Sequence, residues 1–568
     1  MTDAPSRKRI VILGGYGVFG GKLAMALLRS GDLEVVVAGR NLDRAQAFCS
    51  SHGGRPAVLD RAAPDFEQSL NALSPFVTVD AAGPFQAYEQ APYRVAEAAL
   101  AAQSHYLDLS DDAAFTAGIG ALEKRAGAAG LTALSGVSSV PALSSAAVEA
   151  LREDFSRLDL IESAILPGNR APRGLSVMRA ILGQTGRPLA VFRDGAKVSV
   201  PGWSGLEKRR IGPSNKTSLP PRWTSFIGAP DLTLFPDKYG ARTVLFRAGL
   251  ELSVMHLGLW ALSFLVRLRL MRSLEALARP LQTIADWLEP LGTDRGGMEV
   301  RLAGLDLEGK PLDRRWTLIA EAGDGPHIPA VAAAILCQRL VKGTVPPGAR
   351  AYLGEISLEE VSEATRHLNV TTHVGTRRQP CLFQQALGLA FEALPEPVKD
   401  LHTVFDKRCW SGEARVTRGS SFLSRLVCRI VGFPAQTDST PVSVTIERRG
   451  DCEIWERDFG GKVFTSVLGL KGKQGTGIVQ ERFGPMTFDI HLNDQHGTLA
   501  FPVARGRVLG LPLPRWLLPV SEATETDRGG VFHFDVSISL PLAGLLVRYQ
   551  GKLEETACRK TTIVRSAG

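Results

Sequence analysis

The spacing of hydrophobic positions changes character along the chain. Ile10-Val11-Ile12-Leu13 is an unbroken apolar run, the pattern of a strand buried on both faces of a parallel sheet. A glycine-rich turn, residues 14–20, follows at once, and then Leu23, Leu27 and Leu28 recur at helical spacing until Ser30-Gly31 stops the helix. Residues 34–39 supply a second apolar strand. Further strands are expected over 57–60, 76–80 and 106–110, with a helix over 93–100 between the last two. This alternation predicts an α/β fold whose N-terminal part is a Rossmann-type, doubly wound parallel sheet.

From about residue 142 the alternation gives way to mixed strands and loops rich in glycine and proline, read as a mixed α/β substrate domain. Two stretches within it stand out. Residues 252–266 carry no Asp, Glu, Lys or Arg and run directly into Arg267, Arg269 and Arg272. Fifteen residues of helix reach about 22 Å, short of the roughly 30 Å hydrocarbon core, so this is either a buried helix or one lying in a membrane interface. Residues 323–329 lead into an apolar helix over 330–340, with His327 at its start as a packing residue or a proton donor.

Beyond Leu394-Pro395-Glu396-Pro397 the pattern turns strongly β. Strands are expected over 442–447, 453–459, 463–467, 478–483, 486–492 and 531–540, separated by turns at Arg449-Gly450-Asp451, Gly460-Gly461 and Asn493-Asp494. A separate, β-rich antiparallel domain follows, and the chain divides by this reading into 1–142, 143–385 and 386–568. With period two, Trp455, Arg457 and Phe459 share one face, either as ordinary cross-strand packing or as an aromatic-lined pocket holding one cation.

Composition narrows the class. The 568 residues are 44% hydrophobic and 22% charged, as in globular proteins, and the net charge of +8 favours phosphorylated ligands or anionic surfaces. The basic residues are scattered, so nucleic acid is not an expected partner. Seven cysteines form no CxxC pair, which fits a reducing cytoplasm, and the five glycines within 10–21 spoil any likeness to a secretory signal. No histidine pair has metal-ligand spacing, no tyrosine is followed four residues later by lysine, and no GxSxG nucleophile elbow occurs.

The chemistry concentrates in the glycine turn. Between a strand and a helix, Gly15 would allow the tight turn, Gly17 a close approach to a diphosphate and Gly20 the packing of helix on strand. Tyr16, Val18 and Phe19 fill the positions between them, and the helix start offers unpaired N–H groups to phosphate. The second strand ends in Gly39-Arg40-Asn41 where an NAD site usually has a carboxylate. A guanidinium there suits a 2′-phosphate, so the expected cofactor is NADP(H). Asp60, Ala82, Gly83 and Pro84 fall beyond strand ends, as neighbours of the same ligand. Tyr88 and Ser110 are the candidate catalytic groups, each equally a packing or capping residue, and no metal is expected.

The segments Gly14-Gly15-Tyr16-Gly17-Val18-Phe19-Gly20, Ala81-Ala82-Gly83-Pro84-Phe85, His105-Tyr106-Leu107-Asp108-Leu109-Ser110 and Gly136-Val137-Ser138-Ser139-Val140-Pro141 together resemble the saccharopine-dehydrogenase-like family over residues 8 to 350. The resemblance implies an NADP(H)-binding Rossmann domain and hydride transfer, and carries over no catalytic residue. Residues 453–459, 481–485 and 541–545 resemble a domain of unknown function fused to such proteins. The expectation is a cytoplasmic NADP(H)-dependent oxidoreductase acting on an apolar, lipid-like small molecule rather than saccharopine. The alternative is a non-catalytic NADP-binding scaffold that docks on membranes or a protein partner. Expected contacts are the inner face of a membrane, through residues 252–272, and a second copy of the chain.

Overall fold

The structure, a computed structural model, describes residues 7–88, 91–172, 174–213 and 218–557. Of the seven cysteines, Cys558 lies outside these residues. The described residues form two compact units: those within 7–192, 197–302 and 313–377 in the first, and those within 193–196, 303–312 and 378–557 in the second.

The first unit opens with β1 (Lys8–Leu13), α1 (Val18–Leu28), β2 (Leu33–Gly39), α2 (Leu42–His52) and β3 (Arg55–Val58). Then come β4 (Val77–Asp80), β5 (His105–Asp108) and β6 (Thr132–Ser135). The strands lie parallel in the order β3-β2-β1-β4-β5-β6, and Gly348–Ala351 adds a seventh beside β6. The order reverses between β1 and β4, the crevice where doubly wound sheets hold ligands. Ile10 to Leu13 and Val35 to Ala38 are buried, as expected of β-branched runs covered on both faces. α1 packs through Leu23, Ala24 and Leu27.

A second, mixed sheet follows in the order Glu207–Arg209, Arg222–Phe226, Thr243–Ala248, Phe155–Leu166, Gly296–Asp306, Pro311–Ala320 and Val370–Arg377. The apolar run expected at 252–266 is a helix, Ser253–Arg267, and it is neither wholly buried nor free. His256, Leu259 and Ser263 face inward, while Val254 and Phe264 are exposed.

The second unit is a 13-stranded antiparallel sheet among the described residues. Most of the expected strands are present, among them Thr437–Arg449, Cys452–Phe459, Ile478–Phe483 and Val531–Leu540. Lys407–Arg418, Val520–Arg528 and Gly544–Thr556 add strands that had no clear sequence signal. Ala500 pairs with Thr524 near one end of the strand order, and Val503, three residues on, pairs with Ile490 near the other. Three residues reach at most about 10 Å, so the two margins of the sheet meet and the sheet curls into a barrel. Its interior is filled by Leu382, Phe383, Phe391 and Val398 together with Trp410, Trp455 and Phe459. Trp455 and Phe459 do share a face, and it is the core face. The Arg457 guanidinium lies 4.8 Å from the Trp455 ring and is bound by Ser466 at 2.9 Å and Glu481 at 3.2 Å, so its charge is used in packing.

Candidate functional site

The glycine turn works through crowding. The left-handed residue is Gly14, with φ of 72°, rather than Gly15. A side chain on Gly15 would collide with the Ile12 carbonyl oxygen and Val37, and one on Gly20 with the Gly14 carbonyl oxygen. Both positions therefore hold helix, turn and strand in contact. Gly17 is the N-cap of α1, leaving the first-turn N–H groups without intrahelical acceptors.

At the end of β2 the Tyr16 hydroxyl accepts a hydrogen bond from the Asn41 backbone N–H at 3.0 Å. The Asn41 side chain in turn caps α2, accepting from the Arg44 N–H at 2.9 Å. Arg44 lies over the Tyr16 ring, 5.0 Å from its centroid. Arg40 and Arg44 both line one cavity, as do Asp60 and Arg61 in the turn after β3. Asp60 lies just past the strand, because its side chain accepts from the Ala62 N–H at 3.0 Å and turns the chain.

That cavity encloses about 1880 Å³, well beyond the roughly 300–1,000 Å³ of a pocket for one small ligand. Tyr16, Gly17, Val18 and Phe19 line one end, together with Ala82, Gly83 and Pro84. Gly15, Gly20 and Asn41 stand behind this wall as its supports. Gln86, Asp111, Ser138 and Ser139, beyond the C-terminal ends of β4, β5 and β6, supply polar groups. The rest is mostly apolar, walled by the helices Leu175–Gln184, Ser253–Arg267 and Ala278–Trp287 through Met178, Ile181, Leu259, Leu262, Leu265 and Leu281, with Arg179, Gln184 and Asp294 as polar members of the lining. Val254, also on the wall, is 67% exposed, so the apolar chamber opens to solvent there.

Tyr88 and Ser110 are not on this wall. Tyr88 is buried against Phe85 and Phe115 and donates to Asp80 at 2.9 Å, with the Arg61 guanidinium 3.3 Å from its ring centroid. Burial, followed by the Asp80 charge, drives its phenol far above the ordinary range. Ser110 is buried and bonded to Asp112 and Thr116. Asp108 has its carboxyl pushed up to about 7 by burial, although Gly136, Ser110 and Ser135 all donate to it. His327 is nearly buried, and burial lowers its imidazole to about 4. Among the described residues no group of three or more His, Cys, Asp and Glu side chains is placed to hold a metal.

Arginines do converge elsewhere in this unit. Arg209, Arg247 and Arg301 surround the buried Glu162, whose carboxyl they hold well below its usual range against the cost of burial. None of the three is on the cavity wall. Sequence reading missed Arg44 and Arg61. The signal for Arg44 was its place one turn into α2 beside a tyrosine in the glycine motif; Arg61 had none.

Residues 10–134 match the family model described as the saccharopine dehydrogenase NADP binding domain, and residues 394–553 match a domain of unknown function, DUF4166. No curated protein matches the chain. Among solved structures, apo saccharopine dehydrogenase (L-Glu forming) from Saccharomyces cerevisiae is 17% identical, with a TM-score of 0.46 over 65% of this chain and 100% of that one. A probable dehydrogenase from Thermotoga maritima is 10% identical, with a TM-score of 0.32 over 63% of this chain and 93% of that one. GenD2 from gentamicin A biosynthesis, solved with NAD, is 12% identical, with a TM-score of 0.31 over 63% and 91%.

Proposed function

We propose that the first unit is an NADP(H)-dependent oxidoreductase whose substrate is an apolar, lipid-like molecule. The observation that carries this reading is the continuity of one cavity from the glycine turn to an apolar chamber. The cradle fits a dinucleotide: close backbone approach at Gly17, a helix start for the diphosphate, and guanidinium groups of Arg40 and Arg44 for a 2′-phosphate. Asp60 lines the same cavity. When bound, the nicotinamide ring gives or takes the hydride.

The chain's own residues orient the second reactant. Met178, Ile181, Leu262 and Leu281 exclude water and hold an apolar body, and Gln86, Asp111, Ser138 and Ser139 are the groups that can position a polar function. Among the described residues of the cavity wall, Arg40, Arg44 and Arg61 belong to the glycine-turn end and Arg179 is the one arginine on the chamber helices, while Arg209 and Arg247 are paired with Glu162 off the wall, which gives little support to a two-ended amino acid as substrate. Val254 at the exposed margin of the chamber, and the exposed Leu268 and Leu270 beside Arg269 and Arg272 after the same helix, support the contact of residues 252–272 with a membrane from which the substrate partitions.

The test is NADPH consumption on long-chain ketones, enones and imines, with saccharopine as the comparison. Ile181→Trp and Leu262→Trp should abolish turnover of the apolar substrate and leave NADPH affinity within about three-fold. Absence of NADPH binding, or turnover indifferent to the two tryptophans, overturns the proposal.

A further inference from the structure

In the second unit, Phe422–Val431 forms a helix that opens at Ser421, whose side chain accepts from the Ser424 N–H, and closes at Gly432 in the left-handed conformation. One side is pinned to the sheet. Ser424 donates to the Leu545 carbonyl at 2.7 Å, Cys428 to that of Leu546, and Cys428 packs with Ala543 and Leu546.

The opposite side is apolar and uncovered. Phe422, Leu426 and Ile430 recur at i, i+4 and i+8, with Leu423 beside them, and Phe422 and Ile430 are 78% and 76% exposed in the full chain. Leu542, in the turn whose Ala543 carbonyl accepts from Ser421, is 70% exposed and extends the strip. At 100° per residue, Arg425 and Arg429 fall together along one border of the strip, both exposed, and the helix has no acidic residue.

We propose that this helix lies on an anionic phospholipid bilayer, its strip immersed at the level of the headgroups and its two guanidinium groups paired with lipid phosphate. A water-facing helix leaves its charged arc outward. Here the arc that faces out is apolar, its flank is purely cationic, and the remaining face is already held by protein. Those features fit a negatively charged interface with a hydrocarbon layer beneath it. A protein partner would have to match the same strip with acids on one side only. The inference is independent of the hydride-transfer reading, since no residue of the helix is in the first unit.

The full chain should co-sediment with phosphatidylcholine vesicles containing one third phosphatidylserine and much less with phosphatidylcholine alone. Arg425→Gln with Arg429→Gln should weaken the anionic binding by about 30-fold, and Phe422→Ser with Ile430→Ser should weaken it at least as much, any residual binding coming from residues 252–272. NADPH affinity and the melting profile stay unchanged in both. Phe422→Trp should add emission that is quenched by bromine-labelled acyl chains. Vesicle binding equal in all variants, or an unquenched new tryptophan, overturns the proposal. So does a strip variant that turns a dimer into a monomer while vesicle binding persists.

Discussion

Replacing Arg40 with aspartate separates the two nicotinamide cofactors in a way that can be calculated. Arg40 is exposed on the cavity wall, so its field acts through water. Two unit charges about 4 Å apart in water interact by about 1 kcal/mol. A phosphate monoester carries close to two charges at neutral pH and the substitution changes two, giving about 4 kcal/mol before screening. At physiological salt the Debye length of about 8 Å reduces this to about 2 kcal/mol, or roughly 30-fold in Kd. NADH lacks the 2′-phosphate, and its affinity should change by less than about three-fold because its diphosphate sits on the glycine turn. Calorimetric titration of both cofactors at physiological salt and again near 1 M salt tests this. The NADPH loss should shrink at high salt. Equal losses for the two cofactors, or a ratio indifferent to salt, would refute the assignment of Arg40 to the 2′-phosphate.

Gly20→Ala should cost about 1–3 kcal/mol and reduce NADPH binding, because the new methyl meets the Gly14 carbonyl oxygen, whereas Gly120→Ala, with open space around it, should stay within about 0.5 kcal/mol. Denaturation curves of the two variants decide it, and equal midpoints would count against the close-packed turn. Asp231 is buried between the Ser144 and Ser163 hydroxyls, and burial pushes its carboxyl from 3.8 up to about 7. The folded chain holds this proton after the unfolded chain has released it, so stability falls as pH rises through that window, by up to about 4 kcal/mol. Asp231→Asn should flatten the decline between pH 4 and 7 in chemical denaturation, and an unchanged slope would remove Asp231 as its cause.

What the sequence showed and what it hid follow from distance along the chain. The glycine turn, the helix after it and Arg40 are consecutive, so a short stretch holds everything needed to read them. The strand Gly348–Ala351 joins the same sheet from some two hundred residues downstream, and Gly544–Thr556 pairs with Lys407–Arg418 across more than a hundred residues; neither leaves a local mark. The apolar chamber was equally hidden, because its walls come from three helices separated by other elements. Only the charge-free stretch around Ser253–Arg267 hinted at it. Tyr88 and Ser110 were read from their places near strand ends, but position does not fix direction, and both side chains turn inward to satisfy buried partners.

The two residues between Ala500 and Val503, Phe501 and Pro502, have a consequence for handling the molecule. Because they and Leu492, which links Met486–His491 to Asn493–Asp494, draw both margins of the large sheet together, protease cuts at both links would release two rows of unsatisfied backbone donors and acceptors, each a template for intermolecular strand addition. Material nicked at this clasp should polymerise into fibrous aggregates, while intact chains remain dispersed.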